Sequence, residues 1–173
     1  MKFLKYFLFG VIGLILLVLL IAAIAPKEMK AESEIIIDQP QSVVYDYIKL
    51  VKNQDEFGKW QLMDPNMKTT STGVDGTEGF IYRWDSEVLN QGSQKITKVD
   101  EGVGIETELD FGFGEPAQSY LKTESINPNQ TKVIWGITGK SQYPYNLMNL
   151  VYKMDKDFQE GLENLKRKLE QKK

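Results

Sequence analysis

The chain of 173 residues contains no Cys and no His, and only two of its 21 basic residues, Arg83 and Arg167, are Arg. Without Cys there is no disulfide framework, no thiolate zinc or iron–sulfur site and no thiol nucleophile. Without His the usual general base near neutral pH and the commonest metal ligand are both missing. Any chemistry is left to carboxylates, Lys, Tyr and hydroxyls. No Asp-x-Asp-x-Asp-Gly calcium loop occurs, and no metal or cofactor is expected. A formal net charge of −3 with so few Arg gives no footprint for a phosphate backbone, which excludes nucleic acid as a partner.

One long hydrophobic run is present. Residues 6–25 carry no charge over 20 positions, and at 1.5 Å per residue they reach about 30 Å, the thickness of a bilayer core. A single spanning helix is expected. Lys2 and Lys5 in front and Ala23-Ile24-Ala25 behind also fit a secretory signal cleaved after Ala25. The apolar stretch is longer than the roughly 7–15 residues of a signal core, and Pro26 would follow the cut directly, so a retained anchor is the expectation. Lys27 and Lys30 balance Lys2 and Lys5, which leaves the positive-inside rule undecided. A short basic N-terminus running straight into the apolar helix resembles a signal anchor, and the C-terminal domain is expected outside the cytoplasm. The layout is then a basic N-terminus 1–5, an anchor 6–25, a linker 26–31 and one domain 32–173. Residues 26–173 carry 19 basic and 24 acidic side chains, a net charge of −5.

Within the domain, Ile35-Ile36-Ile37 reads as a strand stopped at Pro40. Pro40 suits the start of a helix through Val43, Val44, Tyr47 and Ile48. A second short helical piece is expected from about Asn53 to Trp60, closed by Asp64-Pro65. From Met67 to Lys140 the period changes to two, with turn signals at Asp75-Gly76, Asn90-Gln91-Gly92-Ser93, Glu101-Gly102 and Asn127-Pro128-Asn129, which describes an antiparallel meander. Phe80, Tyr82 and Trp84 share one face, as do Ile105, Thr107, Leu109, Phe111 and Phe113, and Val133, Trp135 and Ile137. Glu106, Glu108 and Asp110 alternate onto the wet face, where charges are ordinary. From about Tyr145 to Gln171 the period becomes helical. Leu147, Val151, Met154, Phe158, Leu162, Leu165 and Leu169 form one stripe, with Lys166, Arg167, Lys168, Lys172 and Lys173 at the end where cations suit the helix dipole. The class is therefore α+β, a curved antiparallel sheet that must bury its apolar face against the long C-terminal helix.

This order resembles the START-like superfamily, also called Bet v 1-like or SRPBCC, whose helix-grip sheet wraps the last helix. More narrowly it resembles the membrane-anchored bacterial proteins grouped as polyketide cyclase/dehydrase and lipid transport. Ile37-Asp38-Gln39-Pro40-Gln41-Ser42-Val43-Val44-Tyr45 is similar to that family's I-x-A-P-x-x-V-F/Y strand-to-helix transition. Trp60 with Asp64-Pro65, then Gly73 with Tyr82-Arg83-Trp84, follow in the family's order. Thr131-Lys132-Val133-Ile134-Trp135 is similar to the T-x-V-x-W last strand, and Asp157 to Lys166 to the closing F-x-x-G-L-x-x-L-K. The match covers nearly all of residues 32–170. The superfamily hosts lipid carriers, hormone binders and cyclases, so the fold alone does not assign an activity. Members that do chemistry commonly place ionisable groups, often His or Arg, in the cavity, and the absence of His weighs against catalysis here.

A sheet curled around a helix leaves a space of the concave, mostly apolar kind that holds small molecules. Tyr82, Trp84, Phe111, Phe113, Tyr120, Trp135, Met148, Tyr152 and Met154 are expected around it. The same nine side chains would equally well fill the space as packed core. Gly112 and Gly114 beside Phe113 read as a bulge or portal loop, with Gln142-Tyr143-Pro144-Tyr145 as the opposite lip. Three readings follow: a membrane-tethered, non-catalytic binder of a hydrophobic or amphipathic small molecule such as a lipid; a cyclase- or hydrolase-like enzyme using Tyr82, Tyr120 or a buried carboxylate; and a solid-cored domain that docks a protein through its outer sheet face.

Overall fold

The computed structural model describes residues 2–171. Lys172 and Lys173, expected to complete the basic C-terminal end, lie outside the described residues, as does Met1. The first helix, α1 (Lys2–Ile24), is apolar all round. Its stretch Phe3–Ile24, 22 residues of mean hydropathy 3.2, is long and apolar enough to cross a membrane. Its large side chains are exposed along the whole helix, and only Ala22 and Ala25 at its end are buried. Most of its surface has no protein against it, unlike that of a core helix.

Strand β1 (Glu28–Ile37) starts four residues after the helix. This corrects the expected linker at 26–31. Glu28-Met29-Lys30-Ala31 already alternates polar and apolar, and it pairs with the end of the last strand through Glu28–Lys140 and Ala31–Ile137. A short polar-looking stretch with four charges nearby masked this alternation. Helix α2 (Gln41–Ile48) buries Val44, Tyr45 and Ile48. A 3-10 turn at Val51–Glu56 follows, its first backbone N–H groups satisfied by the Asp75 carboxylate at 2.8 and 3.1 Å. The five-residue α3 (Lys59–Met63) ends at Asp64, which Pro65 keeps out of helical geometry.

The meander consists of β2 (Lys68–Thr72), β3 (Ile81–Ser86), β4 (Asn90–Asp100), β5 (Gly104–Asp110), β6 (Ala117–Asn127) and β7 (Gln130–Lys140). With β1 they form one seven-stranded antiparallel sheet in the order β1-β7-β6-β5-β4-β3-β2. The expected turn at Asn90–Ser93 is displaced. The chain turns at residues 87–89, where Ser86 Oγ accepts from the backbone N–H of Val88 (3.1 Å) and Leu89 (3.0 Å), and Asn90 takes φ 60° as β4 begins. Gly92 is instead a strand residue opposite Trp84. A Cβ there would lie 2.2 Å from the indole, so glycine is what lets Trp84 lie flat over the neighbouring strand.

The C-terminal segment departs from the single seven-turn helix expected. A 3-10 turn at Tyr145–Leu147 leads to α4 (Met148–Val151); Tyr152 and Lys153 are non-helical, and α5 (Met154–Glu170) begins anew. The apolar period runs on through the break and conceals it. Asp155 and Asp157 in the first turn of α5 are the local signal of a fresh N-terminus, where anions complement the helix dipole.

Helix α5 is held to β1 at both ends. Glu32 N–H donates to Asp155 Oδ1 (3.0 Å) and Ser33 Oγ to the Asp155 carbonyl (2.7 Å); at the far end Asp38 N–H donates to Glu170 Oε1 (2.8 Å) and Gln39 Nε2 to the Leu169 carbonyl (2.9 Å). Its buried side, Phe158, Leu162, Leu165 and Leu169, joins Ile37, Val44, Ile48, Ile105, Leu121 and Val133 in one continuous core.

Candidate functional site: two chambers under the C-terminal helix

Beneath α5 the core is solid near Leu165 and Leu169 and hollow near the start of the helix. Between the two lies a cluster of four rings. Phe158 packs on Trp135 (centroids 4.9 Å apart) and edge-on to Trp60 (5.2 Å), and Phe57 meets Trp135 at 5.6 Å. Beyond it an inner chamber of about 230 Å³ remains, walled by Tyr82, Trp84, Leu109, Phe111, Trp135, Ile137, Tyr152, Met154 and Phe158, with Gln54, Gln61, Gln94 and Ser119 as polar points.

Two of those four polar points are already engaged. Gln94 Nε2 donates to Thr107 Oγ1 at 3.1 Å, and Ser119 Oγ to the Gly136 carbonyl at 2.9 Å. Gln61 Oε1 is a buried acceptor with no partner. Buried acceptors are nearly always paired; this one is closed in against Gly58, whose added Cβ would lie 2.1 Å away.

Two titratable groups reach the inner wall, and both are tyrosines. Tyr82 turns its hydroxyl away from the chamber and donates to both oxygens of Asp55, at 2.6 and 2.7 Å. Burial first, then this bond, push the Tyr82 hydroxyl well above the usual tyrosine range. Burial likewise raises the Asp55 carboxyl, against the opposing pull of the Tyr82 bond. Tyr152 donates to Asp157, and burial followed by that bond raises its pKa too. Asp157 is buried and also receives Lys59 Nζ at 2.6 Å, while Lys59 reaches Glu160 at 3.0 Å. The proton of each tyrosine is thus committed to a carboxylate outside the hollow. Among the described residues no group of three Asp or Glu side chains could hold a metal ion.

An outer chamber of about 770 Å³ adjoins the first, bounded by the start of β1, the loop carrying Phe113 and Gly114, and residues 140–155. Phe111, Tyr152 and Met154 line both spaces and separate them. Gly112 and Gly114 take φ of 77° and 78°, a left-handed backbone that glycine adopts without penalty, and the loop folds out as one lip. Gln142 and Tyr145 lie on the other side of the opening.

The structure brings Tyr82, Trp84, Phe111, Trp135, Tyr152 and Met154 together on the inner wall, and places Phe113 and Met148 in the outer chamber. Tyr120 is a correction: it lies on the outer face of the sheet. There its hydroxyl donates to Glu32 and its ring covers Gly136; burial first, then Glu32, push its pKa up to about 12. The inward residues of β6 are Ala117, Ser119, Leu121 and Thr123, all but Leu121 small or polar, and the aromatic at Tyr120 set the wrong phase. Trp60, Leu89, Gln94, Ile137 and Phe158 were missing from the expected set. Trp60 and Phe158 are a lone aromatic before a proline and one step of a helical stripe, and no local spacing distinguishes them from ordinary core.

The sheet order, the antiparallel register and the gripped helix define the Bet v 1-like, helix-grip class of protein. No protein-family model and no curated protein sequence matches the chain. Among solved structures, norcoclaurine synthase from Thalictrum flavum in complex with dopamine and hydroxybenzaldehyde superposes with a TM-score of 0.63 at 9% identity, over 88% of this chain and 92% of that one. The Aha1 dimer structure from Colwellia psychrerythraea gives 0.59 at 14% identity, over 82% and 96%. Ara h 8.0201 gives 0.55 at 15%, over 83% and 99%. At such identities the likeness is one of fold.

Proposed function

We propose that the protein is a membrane-tethered, non-catalytic receptor that holds a hydrophobic or amphipathic small molecule, a lipid or lipid-like compound, between the sheet and α5. The hollow at the start of α5 carries this reading. Rings, thioethers and aliphatic side chains make up most of its wall, and space remains where a filled core would leave none. The inner chamber is smaller than the roughly 300–1,000 Å³ typical of whole ligand sites, while the outer one falls inside that range. An amphiphile that puts an apolar portion inside and a polar portion outside, past Phe111 and Tyr152, fits both. The fold's likeness to norcoclaurine synthase keeps an enzyme in view, but the two tyrosines on the inner wall are both pushed away from neutral pH and already donate elsewhere, which favours binding without turnover. Tethering by α1, placement of the domain outside the cytoplasm, and kinship with the membrane-anchored cyclase/dehydrase and lipid-transport branch belong to the same proposal and rest on the apolar run and the motifs.

Native mass spectrometry of the full chain, offered lysophosphatidylcholine, tests it. One retained adduct is expected on the wild type and none on Leu109→Trp, whose indole would occupy the inner chamber at an overpacking cost of about 1–3 kcal/mol. The absence of an adduct on folded wild type would refute the proposal.

A further inference from the structure

The anchor helix is bolted to the domain, which a flexible tether would not be. Asn146 is fully buried, and its Nδ2 donates to the carbonyls of Ala22 (2.7 Å) and Ala25 (3.1 Å), two of the acceptors that a helix end leaves unpaired. Tyr143 OH donates to the Leu19 carbonyl at 3.3 Å, Asn149 Nδ2 to the Pro26 carbonyl at 3.1 Å, and Ser141 N–H to the Lys27 carbonyl at 2.8 Å. The end of α1 and residues 141–149 therefore move as one body, and the domain cannot swivel freely about its anchor.

This fixes which side of the domain looks at the bilayer. Leu19 precedes Ala25 by six residues, about 9 Å along the helix, so Tyr143 reaches back into the depth of the apolar segment. Around it the large apolar side chains stand free: Phe113 is 73% exposed, Tyr145 72% and Val151 75%, with Met148 and Leu150 also exposed. Phe113, Tyr145 and Met148 belong to the mouth of the outer chamber. A cluster of this kind is costly in water, and tyrosines beside the end of an apolar helix match the headgroup level of a membrane.

We infer that the outer chamber opens directly onto the leaflet from which α1 emerges, with Phe113, Tyr145 and Val151 seated in the lipid interface, so that an amphiphile enters sideways from the bilayer without crossing water. The inference rests on the membrane-tethered reading proposed above. The chamber lining carries three lysines and three carboxylates, so apolar contact and not net charge sets the depth, and a zwitterionic membrane suffices.

The absence of native Cys makes the test direct. Val151→Cys and Phe113→Cys, each carrying a nitroxide on the full chain in phosphatidylcholine vesicles, are expected to be accessible to oxygen and shielded from an aqueous nickel complex. Val74→Cys, in the loop between β2 and β3 at the opposite ends of the strands, is expected to show the reverse order. Nickel access at Val151→Cys and Phe113→Cys equal to that at Val74→Cys would overturn the inference, even if the mass-spectrometric adduct persists. Lipid-seated labels with no adduct would leave the membrane-facing mouth standing and remove the bound ligand.

Discussion

The inner chamber is dry on its sheet side only if Gln94 and Thr107 satisfy each other, and this can be measured. Gln94 is 5% exposed and Thr107 2%, and their bond is 3.1 Å long. Removing one partner leaves a buried polar group unpaired at about 1–3 kcal/mol, whereas replacing both by apolar groups of similar shape is nearly neutral. Thr107→Val and Gln94→Leu should therefore each cost about 2 kcal/mol, and the double variant well under 1 kcal/mol, a coupling of about 3 kcal/mol and the upper end of what contacting pairs show. With a urea slope of about 2 kcal/mol per molar, each single variant lowers the unfolding midpoint by about 1 M, and the double restores it to within about 0.5 M. The assay is equilibrium urea unfolding of the full chain in detergent micelles, followed by far-UV circular dichroism. Additive losses, or single variants without effect, would mean that water in the chamber already solvates these groups, and the argument for an apolar hollow would fail.

Phe158→Ala removes a ring packed between Trp60 and Trp135 and should cost about 3–5 kcal/mol, lowering the melting temperature by about 10 °C; a shift of a degree or two would show that the ring cluster is not a structural base. Gly92→Ala places a Cβ 2.2 Å from the Trp84 indole, and should expel it into solvent with a red-shifted tryptophan emission and loss of the adduct; an unchanged spectrum with adduct retained refutes the role given to Gly92. Tyr82 has a pKa raised on folding, so its stabilising contribution is full below the ordinary tyrosine pKa of about 10 and is lost as the pH rises beyond it. Between about pH 9 and about pH 11 the wild type should lose more stability than Tyr82→Phe, and equal losses would place the hydroxyl in water.

How far the residues foretold all this depends on what each pattern measures. Alternation reports which side of a strand is buried, and in β3, β5 and β7 it placed Tyr82, Ile105, Val133 and Trp135 inside, with Phe80 just before β3, because large apolar groups occupy the inner face there. In β6 the inner face is Ala117, Ser119, Leu121 and Thr123, and the one aromatic, Tyr120, is outside; alternation then points the wrong way. Helical period is blind to a short non-helical interruption that preserves phase, so the break at Tyr152 and Lys153 was hidden behind a continuous stripe. Whether the expected space between sheet and helix would be hollow or filled was not legible. It depends on how Trp60, Trp135 and Phe158, far apart in the chain, stack against one another and stop short of Leu109 and Met154, and no local spacing encodes that.

The break at Tyr152 and Lys153 divides the roof of the hollow by what holds it. Helix α5 is pinned to β1 at both ends, whereas the segment 145–153 is held by Asn146 to the end of α1 and by Asn149 to the Pro26 and Glu28 carbonyls, with Tyr152 donating to Asp157 of α5. Residues 145–153 are thus a cover tied by a few side-chain bonds to the end of α1, to the start of β1 and to α5. Changes at the exposed Met148 and Val151, whose side chains make none of those bonds, can retune which molecules are admitted and how fast they leave while the fastening of the cover stays as it is.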